Sequence, residues 1–369
     1  MKLLTRTIIV CVIALMLLGG VLVFSASGTY SQMKFNNFYH LFNSHFWKVI
    51  IAIAAMIIFA SIPYEYYKRY SKYTVLGVVL LLIFTFLFAD KVKGAARWID
   101  LGFIQFQPSD LAKIVLIMHL SFLLEKKSEL VQDFKNGLVY LLFWIVVVGG
   151  LVLIQPNFST SMIIILTSFT LLYVGGARFK HIVLTLGGTA GVGFGLMMLF
   201  SHSRDRILAF FNSLSKGDSI NVQVYQAQVA LGSGGLFGKG MGNSRQSDLF
   251  LPESYGDFIF SILGEEYGLI GTVVTLLLYL AVFLAGLVVA KRATDKFGQL
   301  LAFGLSFNII ISAFINAGVV SGLLPTTGIT LPFISFGGTS IIMFAISIGI
   351  ILNIANETIR KKELSMAQV

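Results

Sequence analysis

Ten apolar runs, separated by short polar segments, constrain this chain more than any motif does. They fall at 7–27, 46–62, 74–89, 111–124, 137–154, 159–176, 182–200, 258–290, 298–320 and 333–355. A helix needs roughly 20 apolar residues to cross a bilayer, and most of the runs approach that length. Hydrophobic residues make up 56% of the chain and charged ones 12%. That charged share is half the roughly 25% of a soluble domain, so a single water-soluble core is excluded. Disorder is excluded as well, because it requires low hydrophobicity. The expected class is an all-α polytopic membrane protein with about ten transmembrane helices. The whole chain, 1–369, reads as one membrane domain.

Three runs say more. The run at 111–124 is short, and Gln107-Pro108-Ser109-Asp110 is expected to join its helix. The run at 258–290 is long for one span, which predicts a polar extension or a tilt. Ser25-Ala26-Ser27 offers small residues for signal cleavage, but Thr7 to Phe24 is longer than a usual signal-peptide core. With further spans following, the first run is read as a retained span. Placing the N-terminus inside puts most of the 27 Lys and Arg residues on short inner segments. Both termini are then cytoplasmic, and a large outer loop at 201–257 joins helices 7 and 8. Within it, 212–222 reads as a flexible segment. The net charge of +10 reflects this inner bias, and no nucleic-acid partner is expected. The lone Cys11 forms no internal disulfide.

Irregular residues crowd the outer side. Of the six prolines, Pro108, Pro156, Pro252, Pro325 and Pro332 lie there. Non-helical backbone survives at membrane depth only where protein or water covers it. A cavity lined by broken helix ends is therefore expected on that face. Arg97 and Trp98, after Lys93-Gly94-Ala95-Ala96, suit an anionic head group or an aromatic belt with a snorkelling arginine. Asp110 and Lys113, three apart, share a helix face as a structural ion pair or as functional groups. Gln155 to Thr160 has the chemistry of a tight turn, with Ser159 or Thr160 as helix cap. Arg204 and Arg206 stand near the membrane surface.

The stretch from Gly232 to Gln246 holds six glycines within eleven residues, with Lys239 and Arg245 beside them. It is not a Walker loop, because Gly240 follows Gly238-Lys239 where Ser or Thr is required. Glycine amides can still approach phosphate oxygens, so a pyrophosphate site and a flexible loop are both open. Asp257 stands where this loop meets the next run, a setting suited to a general base. Glu265 and Glu266 continue into that run and are functional candidates unless Lys or Arg pairs with them. Asn316 precedes Gly322 to Ser340, where two prolines and four glycines predict a re-entrant outer loop.

Three of these stretches, GAARWIDLGFIQFQPSDLAK, GSGGLFGKGMGNSRQSDLFLPESYGDFIFSILGEE and GLLPTTGITLPFISFGGTS, resemble the SEDS family of shape, elongation, division and sporulation proteins. These are the RodA/FtsW-type peptidoglycan glycosyltransferases. The resemblance runs from Phe24-Ser25-Ala26-Ser27-Gly28 to the last span. It implies ten helices in the bacterial plasma membrane and polymerisation of lipid II at the outer face, for division, elongation or sporulation. By resemblance Asp257 is the essential carboxylate. Arg97, Trp98, Lys113, Arg204, Arg206, Lys239 and Arg245 match positions near the substrate cavity, with Asp110, Glu265 and Glu266 in support. The implied partners are a class B penicillin-binding protein, which cross-links the strand, other cell-wall synthesis or divisome proteins, and membrane lipids. No metal-ligand spacing is present, and a divalent cation, Mg or Mn, is a family expectation alone.

The chain departs from the family pattern in places. Asp110 stands where Glu is usual, QPNFST replaces QPDLGT, and Tyr255-Gly256 replaces His-Thr. The GNSRQ and LLPTTG stretches lean towards the division type. The chemistry expected is removal of the acceptor 4-hydroxyl proton by Asp257 and inverting attack on the donor C1. Cations and glycine amides would stabilise the leaving diphosphate. The alternative is a lipid II flippase using the same charges, although the inverted repeats typical of transporters are not evident. A scaffold that only recruits division proteins leaves the outer charges unexplained.

Overall fold

The computed structural model describes residues 1–89, 97–100, 102, 105–199, 201–216, 221–247 and 250–367. Among them, twelve α-helices carry the fold. They are α1 (Lys2–Phe35), α2 (His40–Ser61), α3 (Tyr64–Phe88), α4 (Pro108–Lys126), α5 (Val139–Ile154), α6 (Phe158–Val174), α7 (Phe179–Leu199), α8 (Ser201–Lys216), α9 (Val222–Ser233), α10 (Ile259–Arg292), α11 (Lys296–Val320) and α12 (Ser340–Ala367). A π-helical turn, Phe134–Leu138, leads into α5. Each apolar run of the sequence lies largely within its own helix. Seven of these helices are long and apolar enough to cross a membrane: α1, α2, α3, α5 with its π turn, α10, α11 and α12. The chain is thus an all-α polytopic membrane protein.

The bundle is built on close helix pairs. α2 packs on α12, α10 on α11 and α1, and α3 on α4. Lipid supplies no hydrophobic force between helices, so small residues that let backbones approach matter most. A methyl group added at Gly286 would come within 2.0 Å of Ser306 Oγ, and one at Gly349 within 2.5 Å of the Met56 carbonyl. Outward faces carry exposed Leu17, Leu80, Phe84, Phe143 and Leu277, which suit contact with acyl chains. At one end of the bundle Tyr64 donates to Asp295 at 2.7 Å, and Lys68 meets Glu125 at 2.6 Å.

The other end is irregular, and there the structure adds to the sequence reading. Pro108, Ser109 and Asp110 join α4 as expected, while Gln107 stays outside it in extended backbone at the N-cap. The run at 258–290 forms α10, which breaks at Gly268, with φ 67° and ψ −165°, so that Glu265 and Glu266 lie before the break. The last run is helical only from Ser340, and 321–339 is non-helical but packed, with Leu331, Phe333, Ile334 and Ser335 buried. This is the segment expected to form the re-entrant loop. The 201–257 segment contains α8 and α9, so residues 212–216 are helical where a flexible stretch was expected. Residues 217–220 and 248–249 lie outside the described residues, as do Lys93, Gly94, Ala95, Ala96 and Leu101 of the first motif.

Candidate functional site

A short hairpin starts the site. Strands β1 (Ile99–Asp100) and β2 (Gln105–Phe106) pair antiparallel, Ile99 facing Phe106. The hairpin rests on the re-entrant loop so closely that a methyl group at Gly338 would meet the Gln105 carbonyl at 2.4 Å and the Trp98 ring at 2.7 Å. The Gln107 amide donates to Thr339 Oγ1 at 3.2 Å. Arg97 is tied down by the α5–α6 turn, donating to the Gln155 carbonyl at 3.2 Å and to that of Pro156. Burial, and then the like charge of Arg206, draw its guanidinium below the ordinary value. The cap of α6 is Asn157, whose side chain accepts from the Thr160 amide at 3.4 Å. Ser159, expected as a cap, instead donates to the Thr327 carbonyl at 2.5 Å.

The same loop holds the segment that carries Asp257. Phe336 donates its amide to the Tyr255 carbonyl at 2.9 Å, and Ser335 Oγ donates to the Gly256 carbonyl at 2.8 Å. Burial first, and then its bond to Tyr30, raise the Tyr255 phenol well above its ordinary value. Asp257 is half-buried.

Asp257 opens on a cavity of about 630 Å³ that also receives Arg97, Trp98, Asp110, Lys113 and Arg206. Six sequence-predicted residues thus converge from four separate stretches of the chain. Lys113 Nζ pairs with Asp110 Oδ1 at 2.9 Å and lies 5.4 Å from the Phe344 ring. The other Asp110 oxygen is buried with no hydrogen-bond partner among the described residues. A further cation, Lys48 on α2, lines the cavity as well. It donates to the Gly337 carbonyl at 3.1 Å and sits 4.0 Å from the Phe336 ring. Lys48 falls within the apolar run 46–62, where a lysine is itself a functional signal. A smaller pocket of about 140 Å³ shares Arg97, Asn157, Arg206 and Thr327 with the cavity and is also lined by Ser159, Thr326 and apolar groups such as Phe158 and Met197.

The remaining predicted residues gather elsewhere. Lys239 Nζ pairs with Glu265 at 2.7 Å, and the same carboxylate accepts from Ser244 Oγ at 2.6 Å and from the Arg245 and Gln246 amides at 3.3 Å. Glu266 accepts from Ser25 Oγ and from the Gly242 amide at 3.1 Å. The glycine-rich segment is therefore wrapped around two buried glutamates. Its backbone runs along theirs, with Lys239 and Gly240 donating to the Glu265 and Glu266 carbonyls at 2.9 and 3.0 Å. Neither Lys239 nor Arg245 lines the cavity. Arg204 is exposed and reaches Asp205 at 3.8 Å.

The chain is 37% identical over 350 residues to the probable peptidoglycan glycosyltransferase FtsW of Geobacter metallireducens, covering 94% of this chain and 93% of that one. It is 32% identical to stage V sporulation protein E of Bacillus subtilis, over 94% and 96% of the two chains. The crystal structure of the rod shape determining protein RodA of Thermus thermophilus shares its fold, with a TM-score of 0.70 at 23% identity over 95% and 96% of the chains. So does a chain from "Structural coordination of polymerization and crosslinking by a peptidoglycan synthase complex", with a TM-score of 0.77 at 22% identity over 95% and 97%. The family model FtsW/RodA/SpoVE, described as a cell cycle protein, matches residues 5–360. The chain is a multi-pass bacterial membrane protein and belongs to the FtsW/RodA/SpoVE family of cell cycle proteins.

Proposed function

We propose that this protein is a peptidoglycan glycosyltransferase that polymerises lipid II into β-1,4 glycan strands at the outer face of the plasma membrane. The observation that carries the reading is the half-buried Asp257 carboxylate opening on a cavity shared with Arg97, Lys113, Arg206 and Lys48. The names of the relatives agree with it. In this reading all ten apolar helices span the bilayer, both termini are cytoplasmic, and the cavity end faces outward.

Asp257 takes the proton from the acceptor 4-hydroxyl as that oxygen attacks C1 of the donor sugar. The bond from C1 to the diphosphate oxygen breaks, and the configuration at C1 inverts. A positioned base contributes typically about 10²–10⁴-fold. The leaving diphosphate gains charge, and fixed cations in a partly dry cavity stabilise it. Arg97 and Lys113, each held by protein partners, suit that role. Arg204, Lys239 and Arg245 act outside the cavity, where Arg204 can meet head groups at the rim. Glu265 and Glu266 support the outer loop that ends at Asp257.

Among the described residues, no group of three or more His, Cys, Asp or Glu is placed to hold a metal. The orphaned Asp110 oxygen fits a divalent cation that arrives with the substrate, because Mg²⁺ is commonly held by one or two carboxylates plus phosphates. When bound, Mg or Mn would neutralise diphosphate charge. The partner in this reading is a class B penicillin-binding protein, in keeping with the peptidoglycan synthase complex among the similar structures.

The test is strand synthesis from purified lipid II by the full chain with its cognate partner, in the presence of moenomycin. Strands from wild type and none from folded Asp257→Asn are expected. Equal strands from both would remove Asp257 as the base. No strands from either, with lipid II crossing liposome membranes, would make the protein a flippase.

A further inference from the structure

Asn316 on α11 is buried, 1% exposed, and is not among the residues that line the cavity. Its side-chain amide nitrogen donates two hydrogen bonds, one to the backbone carbonyl of Asp257 and one to that of Ile329, both at 2.7 Å. Ile329 follows Gly328, and Gly328 lies beneath the Asp257 carboxylate. One amide thus spans the two strips of irregular backbone that face each other across the proposed base. Two carbonyl oxygens repel at close range, and a group with two N–H donors turns that repulsion into a bridge. A carboxylate, a hydroxyl or an apolar side chain at 316 cannot make the same pair of bonds.

The geometry points to Asn316 as a positioning residue for Asp257: its two-donor amide sets the distance between the Asp257 backbone and the re-entrant loop, and so the placement of the carboxylate in the cavity. This inference rests on Asp257 being the base. A misplacement of about 1 Å at a reacting group can cost about 10²-fold, whereas substrate binding by the cavity cations does not depend on the bridge.

The experiment measures lipid II polymerisation by the full chain with its partner in proteoliposomes. Wild type, Asp257→Asn, Asn316→Ser, Asn316→Asp and Asn316→Gln are compared, and the thermal midpoint of each purified variant is recorded. Asn316→Ser and Asn316→Asp should lower kcat by about 10²-fold while KM for lipid II moves by less than about threefold. Asn316→Gln, which keeps both donors on a longer stem, should recover part of the lost kcat. An Asn316→Ser chain with wild-type kcat overturns the proposal, and so does a loss confined to KM. Failure of every variant to fold would assign the amide to stability alone and overturn it equally. If Asp257→Asn polymerises at the wild-type rate, the base reading fails instead. An inactive Asp257→Asn beside an unimpaired Asn316→Ser sinks only the positioning role.

Discussion

The carboxylate of Asp257 lies close against Gly328: a methyl group at that glycine would come within 3.2 Å of Oδ2. Gly328 also has φ +73°, a conformation that costs an L-residue roughly 1–2 kcal/mol. Gly328→Ala should therefore act twice, straining the loop and pushing the carboxylate. We expect a fall in kcat of about tenfold or more with a thermal midpoint only a few degrees lower. Unchanged kcat would mean that the carboxylate has room to move.

Lys48 brings a cation into the cavity and also holds the Gly337 carbonyl. A charge-assisted hydrogen bond is worth about 1.5–3 kcal/mol. Lys48→Met should raise KM for lipid II by about tenfold, and Lys48→Arg should restore most of it. Steady-state kinetics at fixed ionic strength make the comparison. A KM that does not move would leave Lys48 as a loop anchor only.

Lys239 and Glu265 read as a structural pair. Glu265 is 1% exposed, and Lys239 is about one-third exposed at its side chain. Removing one partner of a buried pair costs about 3–5 kcal/mol, and partial exposure of Lys239 reduces that to about 2 kcal/mol. Lys239→Met should lower the thermal midpoint, and adding Glu265→Gln should restore part of it by removing the orphaned charge. If KM for lipid II rises while the midpoint holds, Lys239 serves the substrate instead.

Chelation should report on the cation. EDTA is expected to abolish polymerisation, and Mg²⁺ or Mn²⁺ to restore it. Asp110→Asn should raise the concentration needed by about tenfold or more. Full activity in EDTA would show that the side-chain cations suffice.

Much of this was legible in the sequence, because membrane burial writes long apolar runs that ten helices reproduce. Proline placement predicted a cavity on one side, and the family resemblance put Arg97, Trp98, Asp110, Lys113, Arg206 and Asp257 near it, together with Arg204, Lys239 and Arg245, which do not line it. Lys48 was not, since a single lysine in an apolar run looks the same whether it snorkels or points inward. The break at Gly268 was hidden because its positive φ is stabilised by a close tertiary approach. A methyl group there would meet the Leu236 carbonyl at 2.4 Å, and no local periodicity encodes that neighbour. The glycine-rich stretch left a phosphate site and a loose loop open, and it packs instead on Glu265 and Glu266. Spacing alone does not tell an amide that greets a ligand from one that greets a neighbouring carboxylate.

The grip of residues 316–337 on Asp257 has a consequence for biosynthesis. Asp257 precedes in the chain the loop that seats it, and that loop settles against α1, where Gly19 leaves room for the Ile334 backbone. A nascent chain stalled after α10 would carry the carboxylate without its seat. The seat of Asp257 is therefore complete only once α1 and residues 316–337, far apart in the chain, have met.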